Sequence, residues 1–169
     1  MAVAGACVLV ANAAAQEVSL EYQVKAAFLF NFTRFAEWPA SALQGSKTLN
    51  ICSAGTNPFG AVLDTTIAGE RVAGRPIEAR VVDATLAGCH ILFVPRGVQA
   101  AMYLKQVGTS PVLTVGETPE FLQQGGVVNF VVIDGRVRFE IDQQAAERHQ
   151  LKLSSRLLQL AVAQRREIG

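Results

Sequence analysis

The feature that most constrains the fold is an unbroken apolar run, Cys89-His90-Ile91-Leu92-Phe93-Val94, too short for an ordinary helix and followed directly by Pro95. A short continuous run of this kind is expected of a strand buried on both faces, which requires a sheet covered on each side. Around it the pattern alternates. Residues 49–53 read as a strand, and Asn57-Pro58 opens a helix to about residue 68, with Asn as cap and Pro at the first helical position. Arg75-Pro76 introduces a strand at 77–82, and after the apolar run come a helix over 98–107 and a strand at 112–115. Thr118-Pro119 starts a further short helix, closed by Gly125-Gly126. Residues 127–133 and 136–141 flank Asp134-Gly135, the strongest hairpin signal in the chain. A last long helix is expected over 143–164. Alternating strands and helices predict a single three-layer α/β domain, with a mixed, mostly parallel sheet of about six strands flanked by helices and a C-terminal β-hairpin before the last helix.

At the front, Leu20, Val24, Ala27, Phe28, Asn31 and Phe35 recur at spacings of three and four, so residues 18–37 read as a helix ended near Pro39. Glu21 and Lys25 lie one turn apart, read as a pair on its other face. Phe28, Phe30, Phe32 and Phe35 make the helix apolar nearly all round, as expected of a helix buried on several sides or shared with a partner.

The first fifteen residues carry no charge. An apolar stretch at 3–10 and the run Ala13-Ala14-Ala15 resemble a secretory signal cleaved after residue 15, although no Lys or Arg precedes the apolar stretch. The alternative is an alanine-rich terminus or first helical turn. Residues 1–15 are therefore read as a signal peptide and 16–169 as one domain. No apolar run reaches the roughly 18 residues that span a bilayer. With 50% hydrophobic and 17% charged residues, disorder is excluded, and a net charge of +1 offers no basic footprint for nucleic acid.

Export would leave Cys52 and Cys89, with no C-x-x-C. An even pair in an exported protein points to a disulfide, and the alternative is two buried thiols on neighbouring strands. The two histidines lack metal-ligand spacing, so neither a metal nor a cofactor is expected. No catalytic set stands out: Ser154-Ser155 lacks nucleophile-elbow glycines, and His90 reads as a satisfied core histidine. Two anion-binding features remain. The loop from Ser53 to Gly60 places Asn57 at a helix start, where an ordinary capped turn is the competing account. In the last helix His149, Lys152, Arg156 and Gln159 fall on one stripe, where Lys152 and Arg156 could meet an acidic group.

Several segments are similar, in order, to YfiR-type periplasmic proteins. They are YQVKAAFLFNFTRFAEWP at 22–39, NPFG at 57–60, GRPI at 74–77, CHILF at 89–93, VLTVGE at 112–117, GRVRFEI at 135–141 and LKLSSRLL at 151–158. The resemblance implies a periplasmic regulator, not an enzyme, that represses a membrane-bound diguanylate cyclase by binding its periplasmic sensor region and so lowers cyclic di-GMP and biofilm formation. It also implies dimers, redox sensitivity and modulation by small ligands. Cys52 and Cys89 match a cysteine pair of the family, whereas a second pair found in some relatives near the last hairpin is absent. Phe139-Glu140-Ile141 becomes a candidate partner surface, with Phe139 and Ile141 on one face and Glu140 on the other. The competing function is a periplasmic small-molecule binding module serving another sensor or transporter, and a hydrolase is a third class.

Overall fold

A computed structural model describes residues 18–165, and for residues 163–165 only the backbone. The expected signal peptide at 1–15 lies outside the described residues. The elements are α1 (Leu20–Phe35), β1 (Ala36–Glu37), α2 (Ala40–Leu43), β2 (Leu49–Ala54), α3 (Val62–Ile67), β3 (Arg71–Val72), β4 (Arg75–Val82), β5 (Ile91–Phe93), α4 (Ala100–Val107), β6 (Leu113–Gly116), β7 (Val128–Ile133), β8 (Arg136–Asp142), α5 (Gln143–Arg148), β9 (Lys152–Leu153), α6 (Ser155–Leu160) and β10 (Ala163–Arg165). Among these residues no helix is long and apolar enough to cross a membrane.

The main sheet runs β10-β8-β7-β6-β5-β2-β4-β3. Its centre, from β4 through β2, β5 and β6 to β7, is parallel, while β7–β8 is the expected antiparallel hairpin around Asp134-Gly135. The six strands expected from sequence are all present. Two short edge strands, β3 and β10, extend them, the first by an antiparallel return onto β4 and the second by parallel pairing with β8. Period-two alternation sorts the buried strand residues between two cores. Ile51, Ile91, Phe93, Leu113 and Val115 face α1, α3 and α5, whereas Cys52, Ala54, Leu92 and Val94 face α4 and Phe121. Both faces are covered, which is what a continuous apolar strand such as β5 requires.

α1 begins at Ser19, whose side chain accepts the Tyr22 N–H, and ends where Ala36 turns extended. Leu29 and Phe32 are fully buried, and the rings of Phe28 and Phe32 pack on Phe130 and Phe139 at 5.2 to 6.0 Å. Phe30 and Phe35 are only partly buried and carry the guanidinium groups of Arg34 and Arg156 at 5.4 and 5.7 Å. The aromatic helix is thus accounted for largely within the chain.

The long last helix is not formed. Asp142 caps α5, but Gln150 takes a left-handed conformation (φ 58°), and the Leu151 and Gln150 N–H groups bond back to Ala146 and Glu147 carbonyls in a Schellman-type ending. Leu151 is then buried, β9 pairs antiparallel with β1, and Ser154 caps α6 while its N–H bonds Phe35. The Asn57-Pro58 helix also begins later, at Val62, because Asn57 closes a side-chain turn onto the Phe59 N–H at 3.1 Å instead of capping. Residues 118–125 form successive turns rather than a helix, folded over the Phe121 ring. That ring lies so close to Gly116 and Gly126 that a Cβ on either would sit 2.2 Å from it.

Cys52 in β2 and Cys89, two residues before β5, are joined by a disulfide with Cα atoms 5.8 Å apart. Beside it His90 is held in one neutral tautomer, accepting the Asn50 N–H at Nδ1 (3.0 Å) and donating from Nε2 to the Ala42 carbonyl (3.2 Å). The bond closes a separation of 37 residues, so reduction should lower unfolding free energy by about 4 kcal/mol in a chain-entropy account. Urea unfolding with and without reductant checks this. Burial, aided by Arg75 and Arg80 and opposed by the Ala42 bond, holds the His90 pKa below its ordinary 6.5. The unfolded chain therefore takes up this proton first as pH falls. The contribution is complete above about pH 6.5 and declines below it, toward the folded pKa. An NMR titration should find His90 still neutral when a histidine of ordinary pKa is half protonated.

Candidate functional site

In a parallel sheet the loops at the carboxyl ends of the strands are the usual place for binding groups. Here Arg96 follows β5, Glu117 follows β6, and α1 lies across both with Glu21, Tyr22 and Lys25. The Glu117 side chain is fully buried. It accepts the Tyr22 hydroxyl (2.8 Å), the Arg96 backbone N–H (2.7 Å) and the Lys25 ammonium, and the Arg96 Nε lies 3.5 Å away. Lys25 is 1% exposed. Its ammonium also bonds Glu21 and lies 4.8 Å from the Tyr22 ring centroid, while Arg96 reaches Glu21 at 2.7 Å. The sequence reading of Glu21–Lys25 as a pair on the outer face is therefore corrected. Lys25 sits inside because a carboxylate 92 residues away needs a countercharge there.

These charges satisfy one another. The Lys25 hydrogen bond holds the Glu21 carboxyl below its usual range against some desolvation. Burial, and then the bond to the Glu117 carboxylate, pushes the Tyr22 hydroxyl well above its ordinary value, so it stays protonated and donating. The cluster is a clamp between α1 and the strand ends. Beside it lies a cleft of about 690 Å³ lined by Lys25, Arg96, Glu117, Asn129, Val132 and Glu140, among others. Asn129 is 2% exposed, and its Oδ1 has no hydrogen-bond partner among the described residues.

The residues singled out from sequence are dispersed. Phe139 and Ile141 are core residues, so of the candidate partner surface only Glu140, half-buried on the opposite face, is presented at the cleft. The basic stripe does not exist as a helix face. Lys152 lies on β9, Arg156 lies on α6 over Phe35, and His149 is buried with Nδ1 2.7 Å from the Ser110 carbonyl. Asn57 lines a different, smaller cleft with Ser53, Asp64 and Arg80, and its side chain is spent on the Phe59 N–H and the Gly60 carbonyl. Asn57 thus lies in a cleft of its own, and Lys152 and Arg156 stand on different elements, β9 and α6. Arg96, Glu117 and Asn129 escaped sequence reasoning. The available signals were a lysine in an apolar helix and an asparagine inside the run VVNFVVI.

Removing one partner of a buried ion pair strands the other charge. Lys25→Met should therefore destabilise the fold by about 3 to 5 kcal/mol in urea unfolding. The double change Lys25→Met with Glu117→Gln should recover part of that loss.

No curated protein matches the sequence. Among solved structures, the chain resembles a conserved domain protein from Vibrio cholerae O1 biovar El Tor with a TM-score of 0.55 at 8% identity. The alignment covers 83% of this chain and 60% of that one, a likeness of fold alone. A family model for YfiR/HmsC-like proteins matches residues 22–162, which takes in α1 from Tyr22 onward, the strands from β1 to β9 and every clamp residue except Glu21, and the chain belongs to that family.

Proposed function

We propose that this chain is a periplasmic regulatory protein that represses a membrane-bound diguanylate cyclase by binding its periplasmic sensor region, lowering cyclic di-GMP. The observation that carries the reading is the family match over residues 22–162, since the YfiR/HmsC-like family is regulatory. A regulator without a reaction of its own acts by binding the inactive state of its target more tightly than the active one. Each tenfold bias takes about 1.4 kcal/mol of differential affinity, which a modest interface supplies.

The β7–β8 hairpin supports such an interface. β7 pairs with β6 only at Val128 and Asn129, so its outer half is hydrogen-bonded along one side alone, to β8. Val132, Ile133 and Leu20 are exposed large apolar side chains here, and Leu20, Val24, Val132 and Val137 line a second cleft of about 440 Å³. Glu140 stands on the same hairpin with its neighbours Phe139 and Ile141 anchored in the core.

Deleting the gene in its host should raise cyclic di-GMP, measured in cell extracts, and the wild-type gene should restore the lower level. An unchanged level after deletion would overturn the reading. Glu140→Lys reverses a charge without emptying the core. It should fold normally, by its circular dichroism and melting, yet fail to restore repression. If it represses as wild type does, Glu140 lies outside the repressing surface while the function itself stands.

A further inference from the structure

Asn129 and Glu140 are direct register partners across β7 and β8, so their side chains leave the same face of the hairpin side by side. Both line the 690 Å³ cleft. A buried polar atom is normally hydrogen-bonded, and an exception calls for an explanation. The orphan here is Asn129 Oδ1, an acceptor in a residue 98% removed from solvent when its 2% exposure is taken from the whole. Its neighbour Glu140 also offers acceptor oxygens, and no ion-pair partner for it exists among the described residues. What fits both is a group that donates hydrogen bonds and carries positive charge.

The surrounding charges agree. Lys25 and Arg96 are matched by Glu21 and Glu117, so among the charged residues lining the cleft Glu140 is the one with no ion pair within 4.0 Å among the described residues, Arg138 lying two residues along the same face of β8. Lys25, Tyr22 and Glu117 are already committed to one another and have little left to offer a ligand. Past the two acceptors the wall turns apolar, with Val131, Val132 and Pro119. We propose that this cleft binds a small primary amine, its ammonium held by Asn129 Oδ1 and the Glu140 carboxylate and its aliphatic body laid on Val131, which shares their face of β7, and Pro119. An ammonium supplies three donors, enough for both oxygens, and charge-assisted bonds of this kind are about twice as strong as neutral ones. The inference is independent of the cyclase reading, because it concerns a small molecule and the purified chain alone.

The test is titration calorimetry of the purified protein at low salt with three probes of one length: pentylamine, pentan-1-ol and pentanoate. Pentylamine should bind saturably and the other two should not. Glu140→Gln, a half-exposed change that leaves the fold intact, should weaken amine binding roughly tenfold or more. Asn129→Ala should do the same, and an unaltered melting temperature would show that the site and not the fold was lost. Equal binding of the alcohol would mean that charge plays no part, and tighter binding of pentanoate would mean that Arg96 governs the cleft. Either result overturns the proposal, as would no saturable binding of pentylamine or an unchanged affinity in Glu140→Gln.

Discussion

A carboxylate removed from water at the end of β6 sets the terms for the rest of this fold. Glu117 is stable there only because a helix, a backbone N–H and a phenol converge on it, and an unpaired buried charge would cost several kcal/mol. Apolar packing of α1 on the sheet is non-directional and would tolerate several placements of the helix. The Lys25–Glu117 pair tolerates one. With Lys25 over the strand ends, Phe28 and Phe32 come to rest on Phe130 and Phe139, and the end of the helix reaches the place where β1 meets β9. The clamp thus contributes register, while the aromatic face contributes most of the burial.

How much of this was legible in the sequence depended on the range of the interactions. Of the six central strands, β2, β5 and β6 are buried apolar runs, β7 and β8 are the arms of the Asp134-Gly135 hairpin, and the half-exposed β4 is marked by Arg75-Pro76, signals carried by neighbouring residues. The last helix was misread because its break needs a left-handed residue, and that residue is Gln150, with no glycine to mark it. The capping serine Ser154 was visible, but it lay inside a pattern that still looked helical. Asn57-Pro58 misled in the opposite direction, since an asparagine that starts a turn and one that starts a helix share the same local chemistry. The clamp was out of reach: Lys25 looks like half of an ordinary surface pair until Glu117 arrives from 92 residues away.

The two ends of the sheet are built differently. On the β2–β4–β5 side, the disulfide from Cys52 to Cys89, the Nδ1 and Nε2 bonds of His90 and the Trp38 indole bond to the His90 carbonyl tie loops to strands. On the β7–β8 side the outer half of the hairpin has partners along one edge only and carries exposed valine and isoleucine. One side is thus cross-tied to its loops, and the other presents apolar surface and a half-paired strand.

Glu140 makes that second side serve two occupants. Glu140 belongs to the cleft beside Asn129 and to the hairpin proposed to meet a cyclase, and Val132 lines both clefts. A partner seated on Glu140 and an amine held by it would compete for the same carboxylate. Competition is reciprocal: whatever factor the ligand takes from partner affinity, the partner takes from ligand affinity. Free ligand at a hundred times its dissociation constant would weaken partner binding about a hundredfold, equivalent to about 2.7 kcal/mol. That exceeds the differential affinity needed for a tenfold bias of a cyclase. A small cation could therefore release such a target without any movement of the core, by occupying Glu140, an acidic group of the cleft that the clamp leaves unmatched.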